Sequence, residues 1–292
     1  MLGKVRQVLL CAGFDEAMTA SVVSEESAAA LSPWTAAAAL QTSTPMLKGA
    51  DRLRRSLIPS LLEARRVNES LGNPVIELFE TARVYLPAAG GLPGEQWTLG
   101  IVSGGDYYRL KGVVEAVLAA LRPGTRLEAV DTRQPLLDSV KSSEFRVQGQ
   151  CLGYIGELSA DGLQQAGLRS PATVAEIRMP VLVELADLIP RYAEQSPYPA
   201  IERDLNLIVD ESVRWASLAE TVQRAVGECL ESVRYQEIYR DPKKDGAGKK
   251  RLLFSITLRS RQRTLTNEQA DQIRQQVVDA CHQSHGAVLL GA

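Results

Sequence analysis

The chain has 292 residues, room for about two domains at ~150 residues each, and its 45% hydrophobic and 23% charged residues are ordinary for a globular protein with a sizeable core. A formal net charge of −2 gives no global nucleic-acid signal, and no stretch approaches the ~18 apolar residues of a membrane span. Cys11, Cys151, Cys229 and Cys281 are far apart and form no Cys-x-x-Cys pair, which excludes a disulfide framework and points to reduced thiols in the cytoplasm; the apolar run Val8 to Ala12 is too brief for an export signal.

In chain order, Leu2 to Cys11 reads as a helix, Ala17 to Val23 as a strand and Glu25 to Leu31 as a short helix. Asp51 to Leu71 predicts a long helix, with Leu53, Leu57, Leu61 and Leu62 on a common side and Arg52, Arg54, Arg55, Arg65 and Arg66 elsewhere. Strands follow at Val75 to Leu86 and Gln96 to Ser103, joined by the Gly/Pro-rich turn Pro87 to Gly94. A helix spans Tyr107 to Leu121. Arg126 to Val130, Phe145 to Leu158 and Met179 to Leu185 read as strands, with a helix at Ala160 to Ala166 between the last two. The sum is an antiparallel sheet flanked by helices, an α+β domain over residues 1–193. The proline-bearing polar run Glu194 to Pro199 marks a boundary.

The second domain, 197–292, begins with a strand at Arg203 to Val209, a helix at Trp215 to Gly227 and a strand at Leu230 to Arg240. In Arg251 to Arg259, Leu252, Phe254, Ile256 and Leu258 alternate with mostly polar residues, the mark of a strand with one buried face. After the basic turn Ser260 to Arg263, Thr266-Asn267-Glu268-Gln269 forms a capping box, and Ala270, Ile273, Val277, Val278 and Cys281 recur at helical spacing. Ala287 to Leu290 is a last short strand. The order β-α-β-β-α-β, with right-handed crossovers, gives a four-stranded antiparallel sheet with both helices on one face and the other face free to bind. Nine basic residues lie between Arg240 and Arg263, opposed only by Asp241 and Asp245. Alone such a run is a solvated rim; beside a free sheet face it becomes a phosphate-contacting edge. Val233, Tyr235, Glu237 and Tyr239 share one parity, so a phenol and a carboxylate stand together near that rim.

Tyr198-Pro199-Ala200-Ile201-Glu202-Arg203-Asp204-Leu205, Leu230-Glu231-Ser232-Val233, Ile238-Tyr239, Gly248-Lys249-Lys250 and Arg263-Thr264-Leu265-Thr266 resemble, in order, the ferredoxin-fold anticodon-binding domain that closes the beta subunit of bacterial phenylalanyl-tRNA synthetase. Upstream, Leu53 to Leu62, Asn68, Leu78-Phe79-Glu80, Leu110-Lys111-Gly112 with Glu115, and Gly153 to Leu158 resemble the synthetase-like domain that precedes it. The resemblance implies a class II synthetase-like antiparallel sheet domain followed by a ferredoxin-like domain. It also implies a heterotetramer of two alpha and two beta chains, in which alpha activates phenylalanine with ATP and magnesium while beta scaffolds that site, edits mischarged tRNA and holds the tRNA(Phe) anticodon. The editing module normally lies upstream of the matched region, so editing is not expected of these residues.

The family carries Phe-Asp-x-Tyr where this chain has Gln236-Glu237-Ile238-Tyr239, and Lys-Ser where it has Lys249-Lys250-Arg251. Tyr239 thus carries over directly, Glu237 as a longer carboxylate, and Arg251 as a cation in place of a hydroxyl. The ring suits stacking on an unpaired base and the carboxylate suits a guanine edge. Lys243, Lys244, Lys249, Lys250, Arg259, Arg261 and Arg263 would add salt-sensitive phosphate attraction. Catalytic and metal residues are not expected. No arginine follows Gly153-Tyr154-Ile155-Gly156 closely, Arg169 being a helix away, and the two glycines read as places of tight strand packing. His282 and His285 lack a third ligand, the serines lack a partnered histidine, and Asp131, Asp138 and Asp161 suggest no acid/base pair. No cofactor is expected on this chain, nor DNA or membrane as a partner. The competing reading is a stand-alone ferredoxin-like regulatory or ligand-binding protein that no longer binds RNA.

Overall fold

The computed structural model describes residues 1–290 apart from 46, 89, 91, 190, 193 and 195. The chain forms two compact units, Met1–Pro190 and Arg191–Ala292. Ala193 at the expected end of the first domain, Gln195 in the boundary run, and Ala89 and Gly91 in the Gly/Pro-rich turn lie outside the described residues.

The first unit runs α1 (Leu2–Cys11), β1 (Asp15–Glu16), β2 (Val22–Val23), α2 (Glu25–Ala30), β3 (Arg52–Leu53), α3 (Ile58–Ser70), β4 (Leu78–Leu86), β5 (Gly94–Ser103), α4 (Tyr107–Leu121), β6 (Glu128–Asp131), β7 (Leu137–Val147), β8 (Gln150–Leu158), α5 (Ala160–Ala166), β9 (Thr173–Arg178) and α6 (Met179–Leu185). Seven strands make one sheet in the order β1-β4-β5-β9-β8-β7-β6, antiparallel except for the β1/β4 pair. Strand alternation sends Leu99, Ile101, Ala175 and Ile177 to one face, where α1, α4 and α6 cover them with Leu9, Leu110, Val114, Leu118 and Leu182. Val84, Val102 and Val174 point the other way and pack against Leu57, Ile58, Leu61 and Leu62. The approach of α3 to the sheet is close: a Cβ on Gly100 would lie 2.8 Å from the Leu57 Cβ.

Four expectations change. The helix expected from Asp51 begins at Ile58, because Pro59 lacks an N–H and fits only the first turn; the residues before it instead supply a short strand and buried polar side chains. Ala17 to Val23 is a strand only at Val22–Val23, since Thr19 turns inward to donate from its backbone N and Oγ1 to Glu80 at 3.3 and 2.6 Å. Phe145 to Leu158 is a hairpin, bent at Gln148 and Gly149, whose φ values of 52° and 78° are those of a primed two-residue turn. Met179 to Leu185 is a helix with Pro180 in its first turn, and the strand lies just before it, at Thr173–Arg178.

The second unit runs β10 (Ile201–Asp210), α7 (Trp215–Val226), a 3₁₀ turn, β11 (Leu230–Tyr239), α8 (Pro242–Asp245), β12 (Lys249–Leu258), α9 (Asn267–His285) and β13 (Val288–Leu289). Its antiparallel sheet has the order β11-β12-β10-β13. Leu205, Leu207, Val209, Leu252, Phe254, Ile256 and Leu258 form a buried layer with Leu218 and Val222 of α7 and Ala270, Val277 and Cys281 of α9. Both long helices therefore pack on one face, as the alternation predicts. The capping box forms as well: the Thr266 hydroxyl accepts from Gln269 N, and the Gln269 side chain accepts from Thr266 N.

Candidate nucleic-acid interface

The other face of the second sheet takes its residues from the opposite parity of β12: Arg251, Leu253, Ser255 and Thr257. On β11 their partners are Tyr239, Glu237, Arg234 and Ser232. Tyr235 pairs with Phe254 and lies 5.5 Å from the Trp215 ring, so it belongs to the helix side. The expected shared parity of Val233, Tyr235, Glu237 and Tyr239 is therefore broken. One extra residue, Gln236, forms a β-bulge that leaves Val233 and Tyr235 on the core side and turns Glu237 and Tyr239 outward. The Gln236 amide pins the bulge by donating to Asp204 Oδ1 at 3.2 Å and to Ser255 Oγ.

Tyr239 is 52% exposed. Arg251 crosses its ring with Cζ 5.4 Å from the centroid, within cation–π range. The same guanidinium donates from Nε to Asp245 Oδ2 at 2.7 Å and from Nη2 to Asp245 Oδ1 at 2.8 Å. These charge-assisted bonds hold the Asp245 carboxyl below its ordinary range and the Arg251 guanidinium above its own. Glu237 is exposed and has no hydrogen-bond or ion-pair partner among the described residues. The structure thus brings Tyr239, Glu237 and Arg251 together on one face.

The remaining basic candidates divide. Lys243 and Lys244 stand exposed on α8, whose backbone N–H groups are accepted by Asp241 Oδ1. Lys249 lies 3.9 Å from Asp210. Lys250 has the core-side parity, pairs with Val209, is 8% exposed and donates from Nζ to the Glu211 carbonyl at 2.6 Å. Arg259 is held by Glu231 at 2.8 Å and by the Tyr198 carbonyl at 2.9 Å. Arg261 and Arg263 are exposed in the loop after β12. At the far end of α9, His285 Nε2 lies 2.9 Å from Thr221 Oγ1 and His282 Nδ1 lies 3.0 Å from the Ala287 carbonyl. No group of three or more His, Cys, Asp or Glu side chains suited to a metal occurs among the described residues.

In the first unit, sequence reasoning missed the residues of β9. Glu176 is fully buried at the middle of the sheet, accepting from Ser56 Oγ and Leu57 N, both at 2.7 Å; burial pushes its carboxyl up to about 7. Beside it Arg54 Nη1 reaches Glu80 at 3.1 Å and the Thr19 hydroxyl at 2.8 Å. The Arg178 guanidinium lies 4.8 Å from the Trp34 ring, which meets Tyr154 edge-on at 5.4 Å. This face of the sheet is filled by the chain's own aromatic and arginine side chains. Gly153 and Gly156 serve close packing: a Cβ would come 2.9 Å from Ile177 Cα at the first and 2.8 Å from Leu137 Cδ1 at the second. The arginines expected on the outside of the long helix are mostly inside, with Arg54, Arg55 and Arg65 buried and Arg66 paired with Glu63.

The first unit is thus an antiparallel sheet with one parallel edge pair, flanked by helices, and the second has the β-α-β-β-α-β order of a ferredoxin-like domain. In agreement, a pyrrolysyl-tRNA synthetase from Desulfitobacterium hafniense shares the fold at a TM-score of 0.50 and 18% identity, over 63% of this chain and 64% of that one. Residues 1–179 match the phenylalanyl-tRNA synthetase beta chain CLM domain, and residues 196–290 match the ferredoxin-fold anticodon binding domain. The chain belongs to the phenylalanyl-tRNA synthetase beta chain family. It is 40% identical over 298 aligned positions to the phenylalanine–tRNA ligase beta subunit of Rhodopirellula baltica, covering 98% of this chain and 44% of that protein. The Moorella thermoacetica beta subunit is 28% identical, over 97% of this chain and 37% of its own length. The chain thus spans less than half the length of these relatives. Among the described residues no helix is long and apolar enough to cross a membrane.

Proposed function

We propose that this chain is the C-terminal portion of a phenylalanine–tRNA ligase beta subunit. In this reading the first unit scaffolds the catalytic alpha subunit within a cytoplasmic heterotetramer of two alpha and two beta chains, and the second unit holds the tRNA(Phe) anticodon during ATP-dependent aminoacylation. The observation that carries it is the exposed Tyr239 ring, flanked by Glu237 and Arg251, on the sheet face opposite α7 and α9 in a chain of this family. An unpaired base stacks on such a ring, and Lys243, Lys244, Arg261 and Arg263 supply exposed charge for the backbone.

The first unit is read as catalytically silent. Its polar sheet face does not fit a nucleotide: Trp34 lies against Arg178, Arg54 holds Glu80, and Ser56 occupies Glu176. ATP and magnesium are then used through the alpha subunit. The deciding experiment measures binding of a tRNA(Phe) anticodon stem-loop to wild type and to Tyr239→Ala, with circular dichroism to establish that both are folded. A loss of roughly 1–3 kcal/mol in the variant is expected. Unchanged affinity, or equal binding of a stem-loop with a scrambled anticodon, removes the proposed role.

A further inference from the structure

The loop between α2 and β3 carries Trp34 onto the polar face of the first unit's sheet, and the groups around that indole are not those of an apolar core. Tyr154 of β8 and Glu176 of β9 are direct cross-strand partners, and Arg178 is the next residue of β9 on the same face. The Arg178 guanidinium covers the ring with Cζ 4.8 Å from its centroid, and Tyr154 meets it edge-on at 5.4 Å. The indole N–H is near enough to Glu176 to help hold its carboxyl down, yet makes no hydrogen bond of good geometry. Ser32 Oγ and Arg178 Nε are likewise buried without a hydrogen-bond partner. Buried polar atoms are normally paired, so three orphans around one ring mark a fit that is made for something other than packing alone. The void at Tyr154 and Glu176, lined also by Pro33 and Gln134, is about 10 Å³, room for no more than a water.

A cation over the face, an aromatic edge and a carboxyl at the N–H are the contacts by which a protein takes a planar ligand, and here the chain supplies the ring itself. One buried side chain latches the loop down. Arg55 donates from Nη1 to the Thr35 carbonyl at 3.4 Å and to the Ala37 carbonyl, and from Nη2 to the Ala28 carbonyl at 2.7 Å. Beyond it Ala36 to Ala39 bring only methyl groups, three of them exposed, before Leu53 N re-anchors the chain on the Leu40 carbonyl at 2.8 Å. Release of Trp34 thus gives up one ring's contacts and the loop's bonds to Arg55, and leaves α2 and β3 in place. We infer that the first unit holds a binding site for a planar ring with an N–H on its edge, that Trp34 is the resident ligand of that site, and that residues 32–40 are a lid which such a molecule displaces. The inference is independent of the anticodon and scaffold roles. The site takes a ring and not a nucleotide: Arg54 is committed to Glu80 and Arg178 to the ring face, so neither guanidinium is free for a phosphate.

The test uses the full chain, with indole as probe and benzofuran, which has the same shape with oxygen in place of the N–H, as its control. Trp34→Gly removes the resident ring. With wild-type circular dichroism, this variant is expected to bind one indole per chain by calorimetry, and benzofuran about tenfold more weakly because the Glu176 carboxyl then meets an oxygen. Adding Arg178→Gln to Trp34→Gly should weaken both probes about fivefold. The wild-type chain should bind indole about tenfold or more below Trp34→Gly, since Trp34 must first leave, and hydrogen exchange over residues 32–40 should be faster with indole than without. Equal affinity for indole and benzofuran in Trp34→Gly would make the space an unspecific cavity and overturn the inference. Wild-type exchange over 32–40 that indole leaves unchanged near its solubility limit would overturn it too, making Trp34 a fixed part of the core. That second measurement decides alone if Trp34→Gly does not fold.

Discussion

Glu176 shows how one buried side chain can set a pH dependence for the first unit. Desolvation raises its carboxyl to about 7 although Ser56 and Leu57 donate to it, while an unfolded glutamate titrates near ~4.3. Between those values the folded chain holds a proton that the unfolded chain has released. The free energy of unfolding therefore falls as pH rises through the window, by on the order of 1–3 kcal/mol by pH 8. Glu176→Gln keeps an acceptor for Leu57 N and removes the titration. Urea unfolding at several pH values should show wild type losing stability toward pH 8 while the variant stays level and ends the more stable of the two. Parallel slopes in both proteins would assign the titration to another group. The same low-dielectric logic explains the Cys281 thiol, raised to about 11 by burial on the core face of α9 and so kept a packing residue and not a nucleophile.

At the scale of elements, Thr266 tests whether a local signal carries tertiary stability. Its hydroxyl and the Gln269 side chain satisfy each other's backbone N–H groups at the start of α9, whose Ala270, Val277 and Cys281 close the second core. Thr266→Ala should cost about 1 kcal/mol and lower the melting of the second unit by roughly 4–8 °C, read by calorimetry on the whole chain. A shift below a degree would mean that packing alone defines this helix end. Features of this kind were legible because they are local: the capping box, the alternation of Leu252 to Leu258, and the helix Tyr107–Leu121 need no distant partner. The misses share the opposite property. Met179 to Leu185 is a short apolar run, and periodicity does not separate a buried strand from a helix there; Pro180 was the usable signal. The Gln148-Gly149 hairpin lacks the Asn-Gly or Asp-Gly pair that would have split the long strand. The bulge at Gln236 depends on Asp204 and Ser255 from two other strands, so the outward turn of Glu237 could not be read from β11 alone. The resemblance nevertheless named Tyr239, Glu237 and Arg251, which the fold places on one face, and did not name Asp245, to which Arg251 is hydrogen-bonded, because an acidic residue in a basic rim reads as dilution of the charge.

At the scale of the molecule, the question is what surface the first unit offers an alpha subunit. The leucines in and flanking α3 fill this unit's own core: Leu57, Leu61 and Leu62 are buried, and of the outward residues from 57 to 71 only Val67 at 44% and Leu71 at 74% are exposed large apolar side chains. Val67 lines a groove of about 640 Å³ between α2, α3 and α5, together with Ala30, Ala64 and Ala166, with Glu26 and Glu63 among its polar residues. Under the proposed scaffold role, α3 offers a partner a smaller and less basic surface than a helix from Asp51 would have done. An obligate subunit contact buries ~2,000 Å² or more, so a proposed contact that includes this groove would extend over neighbouring surface. Mixing with a cognate alpha subunit should give a complex by light scattering, and Val67→Asp with Leu71→Asp should weaken it while leaving circular dichroism unchanged. The chain alone should show no pyrophosphate exchange with phenylalanine and ATP, since Trp34 and Arg54 occupy the sheet face a nucleotide would need. Exchange by the isolated chain would sink the scaffold reading outright. A complex that forms equally well with both aspartates in place would leave scaffolding standing but move the contact off α3, most directly to the exposed Tyr108 and Val140 side chains.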